Sequence, residues 1–150
     1  MERVGRTGVV CALALLALGG CGGRTPPPRA CIQAQPADVL QALRSAPGRV
    51  ALADGTPLSQ CVRWTVDDVR LQTLGATLTQ VADRLARGMR RSDAAALQLG
   101  FLIGATARGA DQAAGLQGEL ANRVAGAAGV DGGPRRALLL RGRAAGRGHG

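Results

Sequence analysis

Apolar residues recur at alternating steps of three and four between Leu71 and Leu85, so that Leu71, Leu74, Leu78, Val81 and Leu85 fall on one face of a predicted helix. Arg70, Gln80, Arg84 and Arg87 lie largely off that face. Thr65 followed by Asp68 fits an N-cap with a carboxylate in the first turn, and Gly88 to Arg91 reads as the end of the helix. Ser92 and Asp93 begin a second helix, in which Leu97, Leu99, Phe101, Leu102 and Ile103 form a nearly all-round apolar run. Such a run is buried, either centrally in its own domain or against a partner. A third helix, from about Asp111 to Ala127, carries Ala113, Leu116, Leu120 and Val124 at helical spacing. The segment from Gly129 to Pro134 stops it by its glycines and proline.

Upstream the pattern is weaker. Pro36-Ala37-Asp38 starts a short helix with Val39, Leu40 and Leu43, which Pro47-Gly48 ends. Arg49 to Leu52 reads as a brief extended segment, and Ala53 to Pro57 as a turn by residue type. Leu58 to Trp64, which contains Cys61, carries no clear period. The expected fold is all-α: a bundle of about three helices joined by short polar turns, plus a short N-terminal helix and an irregular segment. After Gly132 glycine and arginine interleave, with Leu138, Leu139 and Leu140 the only long apolar side chains. Residues 132–150 are therefore expected to be disordered unless bound.

The first residues carry a different pattern. Arg3 and Arg6 lead into an apolar stretch from Val9 to Leu18, shorter than the roughly 20 residues that cross a bilayer. It ends in Leu18-Gly19-Gly20-Cys21, an aliphatic residue and two small ones before a cysteine. This resembles the lipobox signal peptide of bacterial lipoproteins. The resemblance covers residues 1–21 only, and no family is recognised in the body. It implies removal of residues 1–20, a diacylglyceryl group on the Cys21 sulfur with further acylation such as palmitate, and a lipid anchor on the extracytoplasmic face of a membrane. Residues 21–30, with Pro26-Pro27-Pro28, then read as an extended tether that keeps the body within about 30 Å of the lipid surface. Residues 31–131 are the expected helical domain.

On that reading Cys11 leaves with the signal and Cys21 carries lipid, so Cys31 and Cys61 remain in an oxidising compartment where a disulfide persists. Closing a loop of about 30 residues stabilises a fold by roughly 3–4 kcal/mol. Two free thiols or two metal ligands are the alternatives. With one histidine in the chain, no four-ligand zinc set is visible.

The formal charge of +9 invites a nucleic-acid reading, and its distribution argues against one. Between Cys31 and Asp131 there are ten arginines and nine acidic residues, so the body is nearly neutral. The excess sits in the flanks, including Arg24, Arg29 and five arginines after Gly132. Lysine is absent, and the wealth of Ala, Gly, Arg and Pro is what a GC-rich coding sequence yields. Stacking residues reduce to Trp64 and Phe101, so no nucleic-acid partner is expected.

Ala96, Gly100 and Gly104 lie at four-residue steps, a small-residue stripe that lets another helix backbone approach, within the monomer or from a second copy. Arg135, Arg136, Arg141, Arg143 and Arg147 are candidates for gripping an anionic lipid or wall polymer. Trp64 reads as core filling near the cysteine pair, and Asp67-Asp68 as helix-terminal carboxylates rather than a cation site. His149 is the single histidine, and tyrosine and lysine are absent, which thins the set of general bases. No nucleophile elbow, phosphate loop or dinucleotide fingerprint occurs. The expectation is a non-enzymatic, membrane-anchored envelope lipoprotein with no cofactor, whose helical module packs with an envelope protein or with itself. Binding of an anionic lipid or wall polymer is the alternative, with a hydrolase well behind.

Overall fold

In the computed structural model, which describes residues 26–113, 115–129 and 133–150, the chain is all-α. Helices α1 (Arg29–Gln33), α2 (Pro36–Leu43) and α3 (Leu58–Trp64) precede the two long ones, α4 (Asp68–Met89) and α5 (Asp93–Asp111). Helices α6 (Gln117–Gly126) and α7 (Arg136–His149) follow, α7 entered through a single 3-10 turn (Gly133–Arg135). No strand occurs among the described residues. The predicted signal segment and Cys21 lie outside them, as does the first half of the predicted tether, residues 21–25. Pro28 has the φ of −53° and ψ of 144° expected of polyproline, but α1 begins at Arg29, inside the span assigned to the tether.

Helix α4 follows its apolar period. Leu71, Leu74, Leu78, Val81 and Leu85 are all buried, with Gly75 and Ala82 completing the face. Each such side chain contributes about 1.5–3 kcal/mol of transfer free energy. The cap, however, is Asp67 rather than Thr65: the Asp67 carboxylate accepts from the Arg70 amide at 3.0 Å. The Thr65 hydroxyl instead donates back to the Cys61 carbonyl at 2.7 Å, closing α3. Ser92 caps α5 as expected, accepting from the Ala95 amide at 3.3 Å.

Helix α5 is the axis of the fold. Residues 99–106 are buried without interruption, because α3, α4, α6 and α7 all pack on it. Its one buried hydroxyl, Thr106, is satisfied locally by donating to Leu102 and Ile103 carbonyls at 2.8 and 3.1 Å. Helix α5 runs to Asp111, so the predicted third helix is shorter than expected. Gly115 has a φ of +100°, which turns the chain, and α6 begins only at Gln117. Ala113 and Leu116 therefore fall before α6, and Leu116 is exposed, whereas Leu120 and Val124 are buried. The Gln117 amide donates to the Thr65 carbonyl at 3.0 Å and so ties the start of α6 to the end of α3.

The N-terminal third is more regular than its sequence. In α2, Gln35 and Asp38 form a reciprocal capping box, and Val39 and Leu43 are fully buried. The segment from Leu58 to Trp64, expected to be irregular, is helix α3, started by the extended Pro57. Arg49 to Leu52 is not a strand. Val50 and Leu52 still enter the core, and a hydrogen bond of 2.9 Å from the Leu52 amide to the Thr56 carbonyl closes the turn beyond them. Within that turn the Asp54 carboxyl is held below the ordinary carboxylate range, first by the Thr56 amide and then by its hydroxyl. Cys31 and Cys61 form a disulfide with a Cα–Cα distance of 5.1 Å, which pins α1 to α3.

The disordered tail expected over residues 132–150 is overturned. Residues 136–149 are helical and pack along α5 more extensively than any other element does. The missing signal was a long apolar stripe: Leu139 and Ala145 pack against the core, but the closest approach is made by glycines.

Candidate functional site

The small-residue stripe and the arginine segment, read from the sequence as two separate features, are the two halves of one contact. A Cβ on Gly100 would collide with the Leu139 carbonyl and lie 2.9 Å from the Arg143 amide nitrogen. At Gly104 it would collide with the Arg143 carbonyl and lie 2.8 Å from the Arg147 nitrogen. The relation is reciprocal. Gly142 abuts the Leu97 carbonyl and the Phe101 nitrogen, and Gly146 abuts the Phe101 carbonyl and the Ala105 nitrogen. Backbone meets backbone from both sides, in the small-xxx-small geometry that permits Cα–H to carbonyl contacts between helices. Ala96 continues the stripe and is fully buried.

The two helices run parallel. At their starts Arg135 pairs with Asp93 at 2.6 Å, and at their ends Arg147 pairs with Asp111 at 2.8 Å. The end of α7 is held by further contacts, from α3, from α5 and from the loop after α2. The Ser59 hydroxyl donates to the Gly150 carbonyl, and the Arg108 guanidinium donates to the Gly148 carbonyl. His149, expected to sit on a mobile end, has its Nε2 at 2.9 Å from the Pro47 carbonyl and 3.2 Å from that of Gly48. Because carbonyls only accept, Nε2 carries the proton. The ring meets Phe101 edge to face with centroids 5.8 Å apart. His149 is thus a structural donor in this arrangement, with no carboxylate or nucleophile among its partners.

The five arginines divide accordingly. Arg135 and Arg147 are engaged by the carboxylates of α5. Among the described residues, Arg136, Arg141 and Arg143 form no ion pair and are exposed. Arg136, Arg143 and Arg147 share one side of α7 with Leu140, which is exposed. Trp64 is half-buried at the end of α3 and is not part of the apolar core. Asp67 is consumed as the cap of α4, and Asp68 stands in the first turn, where a carboxylate complements the helix dipole. Among the described residues no group of three or more His, Cys, Asp or Glu side chains converges as a metal site would require. None of the described helices is long and apolar enough to cross a membrane.

A second basic feature escaped the sequence reading, which treated Gly88 to Arg91 only as a helix end. Arg87 stands on the last turn of α4, Arg90 caps its end and Arg91 follows in the turn beyond. With Arg135 they line an open groove of about 860 Å³ between the ends of α4 and α6 and the start of α7. The spacing was a signal available in the sequence; the approach of Arg135 to it was not. A smaller cleft of about 260 Å³ lies between α4 and α6, where Leu71, Leu116 and Leu120 meet Asp68, Glu119 and Arg123. No family model, curated protein or solved structure matches the chain.

Proposed function

We propose that the chain is an exported envelope lipoprotein, held at a membrane by a lipid on Cys21, whose helical body is a non-enzymatic interaction module. The observation that carries this reading is the Cys31–Cys61 bond. A disulfide between elements of the core suits an oxidising compartment. The lipobox-like Leu18 to Cys21 gives the same address independently, from residues that have no part in the bond. As to the partner, the small-residue stripe on α5 is already covered by α7. A protein partner or a second copy is left with the apolar surface at the start of α4 and α6, where Val66, Val69 and Leu116 are 55, 72 and 54% exposed.

The test is the intact mass, without reductant, of the chain purified from a bacterial membrane fraction, beside Cys21→Ser. The expected product starts at Cys21, is heavier by its lipid, and is lighter by two hydrogens for one disulfide. An unprocessed, reduced, soluble chain would overturn the reading.

A second reading, binding of an anionic lipid or wall polymer through Arg135, Arg136, Arg141, Arg143 and Arg147, is favoured by one observation. Arg136, Arg141 and Arg143 stand on a folded helix with no ion pair among the described residues. On a rigid helix they keep fixed spacing, which a disordered tail would not give them.

A further inference from the structure

We infer that the groove between the ends of α4 and α6 and the start of α7 is a second basic site, which takes the phosphate groups of an anionic phospholipid surface. It deepens the reading of the chain as one that works beside a membrane, and it rests on residues outside the arginine segment except for Arg135. Four arginines, Arg87, Arg90, Arg91 and Arg135, line one open space. Among the described residues only Arg135 has a carboxylate partner, Asp93, and that carboxylate does not line the groove. The Arg135 guanidinium also donates to the Arg90 carbonyl at 2.9 Å, which fixes the edge of the groove and satisfies an orphan carbonyl at the end of α4.

The guanidinium groups of Arg87, Arg90 and Arg91 have no acceptor among the described residues. Part of their placement is explained by the helix C-terminus, whose dipole favours cations. That field weakens within a turn and does not by itself account for three arginines at i, i+3 and i+4 beside a fourth from the turn that enters α7. Charges so placed repel one another to the extent that water and salt leave them unscreened, and an anion held between them would relieve that repulsion. The lining also includes Ala86, Met89, Ala127 and Pro134, so apolar surface lies beside the four arginines. A phosphate held by the arginines, with glycerol and the first methylenes against the apolar side chains, matches that combination. A single free phosphate would meet exposed arginines in an open groove and leave the apolar lining uncovered. A membrane surface presents many phosphates at once to all four.

The test uses the chain as purified from membranes, placed on nanodiscs of phosphatidylcholine with or without phosphatidylglycerol, and reads amide hydrogen exchange. On discs containing phosphatidylglycerol, amides of residues 86–91 and 133–136 are expected to exchange about five-fold more slowly or better, the scale of one arginine held at an anionic surface. The protection is expected to vanish in R87Q/R90Q/R91Q and to persist in R136Q/R141Q/R143Q. R90E, a single exposed change, gives the same loss should the triple variant not fold. Equal exchange on the two discs would overturn the site, as would protection confined to residues 137–147 or equal losses in both triple variants. The same protection on pure phosphatidylcholine after adding inorganic phosphate would reassign the groove to a free ligand and overturn the surface. The two proposals fail separately: a chain shown by mass to lack lipid, yet protected by phosphatidylglycerol, would lose the envelope reading and keep the groove.

Discussion

Helices α4 and α7 both pack on α5, yet they do so with opposite materials. Helix α4 presents a stripe of leucine and valine, and its attachment is the burial of side chains. Helix α7 presents Gly142 and Gly146 to Gly100 and Gly104, and its attachment is the approach of one backbone to another. In α4 the contact could be rebuilt around many apolar side chains. In α7 it tolerates no added atom, because a Cβ at any of the four glycines would sit closer to a backbone atom than real Cβ atoms do.

The largest effects should separate these two modes. Leu78→Ala in α4 removes a fully buried side chain and is expected to cost about 2–5 kcal/mol by urea denaturation. Gly104→Ala adds one methyl group. On an ordinary helix that change stabilises by about 1 kcal/mol, but here it is expected to cost about 3 kcal/mol and to lower the helical circular-dichroism signal as α7 lifts away. A stabilised Gly104→Ala would mean that α7 does not lie on α5, and the comparison would collapse.

The same contrast explains what could be read ahead of the structure. Hydrophobic periodicity reports helices that bury side chains, so the α4 face and the buried centre of α5 were visible residue by residue. It is blind to a helix whose buried face is glycine. Residues 136–149 look like a solvated, composition-biased tail because leucine is confined to 138–140 and every other apolar position is alanine or glycine. A usable sign did exist. Gly142, Gly146 and Gly150 repeat the four-residue step of Ala96, Gly100 and Gly104, and two matching small-residue stripes in one chain can satisfy each other. The remaining misses are local. Asp67 won the cap from Thr65 because Thr65 closes α3 and α4 begins only at Asp68, and Gly115 ended a periodicity that otherwise ran on from Ala113. For the candidate sites, residue types were apparent while their grouping was not: nothing in sequence brings Arg135 to Arg90, or Arg147 to Asp111.

A smaller effect sharpens the contrast within α7 itself. Gly148 lies two residues from Gly146 but looks into open space, and a Cβ there would meet nothing within 4 Å. Gly148→Ala should therefore behave as an ordinary helix substitution and raise stability by about 0.5–1 kcal/mol. Gly146→Ala, at the seam, should lower it. Opposite signs for the same chemical change would place the cause in packing rather than in helix propensity. Equal signs would remove the seam as the explanation.

The smallest expected effect concerns the ion pairs at the two ends of the seam. The partners of the Arg147–Asp111 pair are 47 and 61% exposed, so water and salt screen their attraction, and two long side chains lose freedom on pairing. A double-mutant cycle with Arg147→Gln and Asp111→Asn should give a coupling of about 0.2–1 kcal/mol, shrinking as salt is added. The pairs then set the register and parallel direction of α7, since a shift by one turn would part both of them, while the glycine contact supplies the attachment. A coupling well above that range, and insensitive to salt, would make α7 an electrostatically held arm. In that case an anionic surface competing for Arg135 and Arg147 would be able to detach it, and the stripe at Gly100 and Gly104 would become available to a second copy of the chain.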